Sequence, residues 1–158
     1  MNINYLVGDA THPNAEGTKI LAHICNDVGK WGKGFVLAIS KRWPSPELMY
    51  KQAFTGASKP QLGDVQFIQV EGDIVVANII GQAGVRSPKD TKSPAPIRYS
   101  AVQQGLAAVA QYALQHNASV HMPRIGCGLA GGNWEEIEKI ISDELIAKNI
   151  ATTVYDFA

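Results

Sequence analysis

Pro123-Arg124-Ile125-Gly126-Cys127-Gly128-Leu129-Ala130-Gly131-Gly132-Asn133-Trp134 is the stretch on which the architecture turns. Before it, Val120–Met122 is a brief run of strand formers that Pro123 closes. After it, Asn133 is a good N-cap, and Glu135 and Glu136 suit the first turn of a helix read through Lys148. Strand, glycine-rich loop and helix in that order are the repeating unit of α/β sheets, whose ligands bind beyond the carboxyl ends of the strands. Glycine lets the backbone approach a phosphate closely, and a following helix N-terminus favours an anion.

The same layout occurs earlier. Ile20–Cys25 (ILAHIC) reads as a buried strand, and residues 26–34 (NDVGKWGKG) hold three glycines in nine positions. Phe35, Leu37, Ala38 and Trp43 then carry helical spacing, and Pro46 opens a second short helix through Ala53. Neither loop matches GxxxxGK[ST] or a clean GxGxxG. Taken singly, either loop reads equally well as a tight turn required for packing. Taken as a pair, they suit a diphosphate better than a lone phosphate.

Outward from these units, Ile3–Val7 reads as a strand stopped by Gly8-Asp9. Val65–Val70 and Ile74–Ile80, joined by Glu71-Gly72-Asp73, read as an antiparallel hairpin. Residues 81–97, with two glycines, three prolines and the basic side chains Arg86, Lys89 and Lys92, form a long polar loop of the kind that tends to be functional or mobile. Ile97–His116 reads as a long helix stopped at Asn117, and Thr152–Phe157 as a last strand. The order is two strands, two helices, two strands, then helix, strand, helix, strand. It predicts one α/β domain over 1–158, with helices on both faces of a mixed sheet.

Composition limits the function classes. Of 158 residues, 46% are hydrophobic and 18% charged, and 14 basic side chains balance 14 acidic ones. That balance carries no electrostatic footprint for duplex nucleic acid. The two cysteines, Cys25 and Cys127, form no CxxC, and His12, His23, His116 and His121 are scattered, so neither a metal nor a cofactor is expected. No stretch approaches the ~20 apolar residues of a membrane helix, and the first residues lack the basic start of a signal peptide. A cytoplasmic monomer is the expectation.

Several blocks, in order along essentially the whole chain, resemble the macro domain family. They are Val7-Gly8-Asp9-Ala10-Thr11, His23-Ile24-Cys25-Asn26, Gly29 to Phe35 (GKWGKGF), Pro123 to Trp134, and Thr153-Val154-Tyr155. They are similar in particular to the branch holding yeast-type ADP-ribose 1″-phosphate phosphatases and the terminal ADP-ribose protein glycohydrolase. The resemblance implies a three-layer α/β/α fold with a mostly parallel central sheet, and a site for ADP-ribose or for an ADP-ribosylated small molecule or protein. Asp9, with the backbone of Ala10, would read the adenine amino group, and Phe157 would stack on the purine. Asn26 would sit by the distal ribose, and Trp31 would cover it. The backbone of Lys30, Trp31, Gly32, Lys33, Gly34 and Phe35 would wrap the diphosphate together with Ile125, Gly126, Cys127, Gly128, Leu129, Ala130 and Gly131. Lys30, Lys33 and Arg124 are candidate charges.

For catalysis the resemblance points to His23, with Asn26 and Asp27 beside it; a histidine can serve as nucleophile or general acid–base near neutral pH. In the glycohydrolase relative a lysine near the end of the strand corresponding to Ile74–Ile80 attacks the ribose, and an aspartate follows GCGL. Here Gly81-Gln82 and Ala130 occupy those places, so the covalent lysine route is not expected. The aspartate of another hydrolytic branch is replaced by Lys33-Gly34-Phe35. Three functions remain open at this point: a hydrolase acting at the distal ribose, a non-catalytic ADP-ribose-binding module, and a binder of another nucleotide diphosphate.

Overall fold

The computed structural model describes residues 1–90 and 92–157. Its strands are β1 (Asn4–Val7), β2 (Lys19–Asn26), β3 (Val65–Glu71), β4 (Ile74–Gln82), β5 (Ser119–Met122) and β6 (Thr152–Asp156). Its helices are α1 (Val36–Arg42), α2 (Ser45–Ala53), α3 (Tyr99–His116) and α4 (Trp134–Glu144). The strands form one sheet in the order β1-β6-β5-β2-β4-β3. All neighbours are parallel except β3, which runs antiparallel to β4 as the predicted hairpin.

The long apolar run of β4 (IVVANIIGQ) is buried over nearly its whole length, as a strand covered on both faces must be. On one face Ile20, Ala22, Ala77 and Ile79 pack with Val102, Leu106 and Val109 of α3 and Ile137 and Ile141 of α4. On the other, Leu21, Cys25, Val76 and Ile80 pack with Ile39 of α1 and Tyr50 of α2. The caps read from sequence are in place. The Asn133 side chain accepts from the Glu135 N–H at the start of α4, and Asn117 takes the left-handed conformation (φ 51°) that stops α3.

Some boundaries differ from the sequence reading. The last helix stops at Glu144 and passes into a 3-10 turn, Ile146–Lys148, that ends on left-handed Asn149. The buried Leu145 side chain anchors that turn, and its carbonyl accepts from both Lys148 and Ile150. Phe157 lies outside the last strand, because β6 pairs with β1 only as far as Val7 opposite Asp156. Asn26, read as loop, closes β2 beyond a bulge at Cys25/Asn26.

The chain reverses its direction of travel across the sheet once. From β2 it moves outward to β3 and β4; α3 then carries it back over β2 to β5, and from there to β6 on the other side. The loops after β2 and β5 therefore diverge to opposite faces, and the gap between them is where α/β sheets hold ligands.

α3 crosses closely because Gly105 has no side chain. A Cβ there would stand 2.4 Å from Ile79 Cγ2. Gly105→Ala is therefore expected to lower stability by about 1–3 kcal/mol through overpacking, despite the ~1 kcal/mol that alanine gains in helix propensity. Urea denaturation checks this; an unchanged or raised midpoint would contradict the close crossing.

Candidate functional site

The gap between the loops after β2 and β5 is a cleft of about 290 Å³. Its lining comprises residues 23–26, 31–36, 82, 85–86, 123–126 and 128–130, so both glycine-rich loops face one space. Of the residues singled out in the sequence, it gathers His23, Asn26, Trp31, Gly32, Lys33, Gly34, Phe35, Arg124, Ile125, Gly126, Gly128, Leu129 and Ala130. Asp27, Lys30, Cys127 and Gly131 belong to the same loops but are not part of the lining. Asp9, Ala10 and Phe157 sit further along the sheet edge, after β1 and β6. Three strand spacings separate β1 from β2, about 14 Å at ~4.8 Å each.

The loops offer free backbone donors. Among the described residues, the N–H groups from Gly32 to Val36 and from Ile125 to Ala130 meet no protein acceptor. The second loop is curled by its own contacts: the Gly132 N–H donates to Gly126 O (2.7 Å), Gly131 to Gly128 O (3.0 Å) and Ile97 to Ala130 O (3.1 Å). Gly126 and Gly132 are glycines for internal reasons. A Cβ on the first would meet Ile97 at 2.7 Å, and one on the second Gly126 O at 2.4 Å. Gly34 and Gly128 differ: each lines the cleft, neither has a positive φ, and a Cβ on either would meet nothing within 4 Å.

Buried side chains brace the first loop. Asn26 Oδ1 accepts from the Val28 and Lys30 N–H groups (3.0 and 3.3 Å) and from the Tyr50 hydroxyl (2.7 Å). Its Nδ2 donates to Lys30 O, leaving one Nδ2 proton without a partner among the described residues. Burial pushes the Tyr50 phenol up, so it stays a donor. Trp31 is buried, its indole N–H shared between Ser40 Oγ (2.7 Å) and Val36 O (3.2 Å). Asp27 Oδ1 accepts from the Gly84 N–H (2.8 Å), tying this loop to the one after β4.

His23 forms the floor and is 2% exposed. The rings of Trp31 and Phe35 cover it at centroid distances of 5.4 and 6.3 Å. Asn78 donates its Nδ2 to Pro46 O and Gln66 Oε1, so its Oδ1 is the acceptor facing His23, and His23 Nε2 carries the proton. Nδ1 keeps its lone pair; Cys25 Sγ lies about equally far from both ring nitrogens, 4.0 Å from Nδ1 and 3.9 Å from Nε2. Burial pulls this imidazole down to about 4 against the Asn78 hydrogen bond, and the ring is neutral at pH 7. His121 on β5 is a second buried histidine, between Tyr155 OH (2.7 Å) and Ser119 Oγ (2.8 Å), and burial followed by the Lys19 charge pulls it to about 4.

Charge in the cleft is one-sided: Lys33, Arg86 and Arg124 line it, and no carboxylate does among the described residues. Arg124 is committed. Its guanidinium grips Asp156 through two bonds (2.7 and 2.9 Å) and lies over the rings of Tyr5 and Trp134 at 5.1 and 4.8 Å. Sequence reasoning missed Gln82, Val85 and Arg86, which reach the cleft because Gln82 pairs with Ile97 and folds the loop between them back over it. Asp9 holds an Asx turn, its Oδ1 accepting from the Thr11 N–H and hydroxyl (2.8 and 2.7 Å). Partial burial raises its carboxyl, but those bonds outweigh it and leave the net shift downward.

No protein-family model matches the sequence. A solved structure of a protein of unknown function from Bacteroides thetaiotaomicron is 57% identical and superposes with a TM-score of 0.94, over 99% of this chain and 98% of that one. A macrodomain protein from Streptomyces coelicolor is 48% identical, with a TM-score of 0.87 over 99% of this chain and all of that one. The chain belongs to the macrodomain family. The three-layer α/β/α fold and mixed, mostly parallel sheet expected from the resemblance are those of this macrodomain.

Among curated relatives, chromodomain-helicase-DNA-binding protein 1-like of Mus musculus is 32% identical over 166 residues, 99% of this chain. The macrodomain spans only 18% of that relative's length, and 15% of the Danio rerio counterpart's. The ADP-ribose 1″-phosphate phosphatase of Lodderomyces elongisporus is 24% identical over 99% of the chain and all of the relative. The human ADP-ribose glycohydrolase OARD1 is 25% identical over 97% and 90%. The macrodomain thus stands in the branch that holds these enzymes. None of its described helices is long and apolar enough to cross a membrane.

The histidine environments set a pH dependence. Both folded pKa values, about 4, lie below the ordinary histidine value of 6.5, so as pH falls the unfolded chain takes up protons first. The stability of the neutral, buried state is full above 6.5 and declines as pH falls toward 4. Urea unfolding at pH 7 and 4.5 should show the loss, and ring resonances of His23 and His121 should keep neutral-form shifts down to about pH 5.5. Protonation of either ring near 6.5 in the folded protein would contradict the burial.

Proposed function

We propose that the macrodomain binds ADP-ribose in the cleft between the loops after β2 and β5, and that it hydrolyses an ADP-ribose derivative at the distal ribose. The observation that carries the binding is the pair of facing loops, with unpartnered N–H groups at Gly32–Val36 and Ile125–Ala130 and open space over Gly34 and Gly128. Such a cradle fits the four non-bridging oxygens of a diphosphate. The ~14 Å from β1 to β2 suits a dinucleotide-sized ligand, with adenine toward Asp9 and Phe157 and the distal ribose at Asn26. Phe157, 84% exposed, is available for stacking. The names of the relatives, ADP-ribose 1″-phosphate phosphatase and ADP-ribose glycohydrolase, support the same ligand class.

For turnover the candidates are His23, Asn26 and Asp27 at the carboxyl end of β2. The remaining Nδ2 proton of Asn26 is available to the sugar hydroxyls or a water, Asp27 Oδ2 is available as an acceptor, and His23 Nδ1 is an unprotonated acceptor at neutral pH. A second reading, binding without turnover, is favoured by one feature: each of the three already holds an internal hydrogen bond that shapes the loops.

Calorimetric titration separates these readings. ADP-ribose is expected to bind more tightly than ADP or AMP, and equal affinities would point to another diphosphate. Gly128→Val and Gly34→Val, which fill the cleft without backbone strain, should each weaken ADP-ribose by more than about tenfold while the thermal midpoint stays put. Asp9→Ala should cost about 1–3 kcal/mol of affinity. Release of phosphate from ADP-ribose 1″-phosphate, or of ADP-ribose from Glu/Asp esters, lost in Asp27→Asn or His23→Ala with binding retained, supports the hydrolase. Intact binding with no turnover of either substrate supports the binding module.

A further inference from the structure

Arg86 is a cation of the cleft wall that the fold leaves with most of its donors unspent. Among the described residues its guanidinium donates once, from NH1 to Ser93 O at 3.1 Å, and forms no ion pair. Asp90, the acid on its own loop, already accepts from the Lys92 and Ser93 N–H groups (3.0 and 2.9 Å). Arg124, by contrast, is held by Asp156.

The position of Arg86 is built rather than incidental. Its loop is pinned at the mouth by the Gln82–Ile97 bridge and the Ala83 N–H to Pro96 O bond (2.9 Å), and on the side by Asp27 accepting from Gly84. The guanidinium rests in a notch over Gly131: NH2 is 2.8 Å from where a Cβ on that glycine would stand. The loop follows β4, on the far side of β2 from Asp9. With adenine toward β1 and the diphosphate on the free N–H groups of the two glycine loops, Arg86 stands at the distal-ribose end.

The geometry points to Arg86 as a recognition residue for an anionic substituent on the distal ribose, so that the preferred ligand is an ADP-ribose derivative bearing a phosphate monoester there. This rests on the ADP-ribose reading of the cleft. A guanidinium presents a planar fork of N–H donors that matches phosphate oxygens; among the described residues no carboxylate lines the cleft, and Asp90, which feels the Arg86 charge, lies outside that lining.

The test is displacement of a fluorescent ADP-ribose probe by ADP-ribose and by ADP-ribose 1″-phosphate, read in the first seconds after mixing. The wild type should prefer the phosphorylated ligand by about tenfold or more, and Arg86→Ala should bring the two ligands to parity while ADP-ribose itself changes by less than about threefold. Arg86→Lys should recover part of the preference, because it keeps the charge and loses the fork. Unaltered ADP-ribose binding in the variants also reports that they are folded. A wild type that binds ADP-ribose without preferring the phosphate overturns the Arg86 assignment alone. An alanine variant that weakens both ligands equally overturns it too, by placing the guanidinium on the diphosphate. A wild type that binds neither ligand overturns the reading of the cleft itself.

Discussion

Every feature of the site depends on one crossing. After β4 the chain must pass over β2 to enter the sheet as the parallel neighbour β5, and α3 makes that passage. Its 18 residues span about 27 Å at ~1.5 Å each, enough to return from the carboxyl edge of the sheet to the amino edge. Because the chain leaves β2 toward one face and β5 toward the other, two adjacent parallel strands end in loops that separate. No side chain has to be carved away to make the cleft; the connectivity opens it.

What the connectivity opens, buried polar groups hold in shape. Tyr50 on α2 donates to both the carbonyl and the side-chain oxygen of Asn26, and Asn26 fixes the next four residues of its loop. Beneath them Asn78 links His23 to Pro46 and, through Gln66, to the carbonyl of Met49. These contacts secure α2 to the sheet below the loop. The second loop needs no such side chains, since Gly126 and Gly132 let its backbone bond to itself. One loop is therefore fixed by a polar core and the other by backbone shape. In both, the N–H groups facing the cleft are left over, as a preorganised anion site requires.

Much of this was legible in the sequence, for physical reasons. Apolar runs bounded by glycine and proline marked β2, β4 and β5, and the side chains of Asn133 and Asn117 carry their capping roles locally. The two glycine loops announced themselves by composition. The features that were not legible depend on partners far away in the chain. Arg124 looked like a free charge, but Asp156, 32 residues on, takes it. Asn26 looked like a ligand contact, but Tyr50, 24 residues on, and its own loop use most of its amide. Arg86 looked like one basic residue among three in a polar loop; the pairing of Gln82 with Ile97 is what turns it toward the cleft. Phe157 read as the end of a strand, and the short partner β1 is what leaves it outside.

Amide resonances of the protein during titration with ADP-ribose test the central claim most directly, because the account names the N–H groups that receive the diphosphate. It predicts large, saturable shifts at Gly32–Val36 and Ile125–Ala130, with little change at Asn117 and Asn149 on the opposite edge of the sheet. Saturation with those loop amides unmoved, and shifts elsewhere, would contradict it.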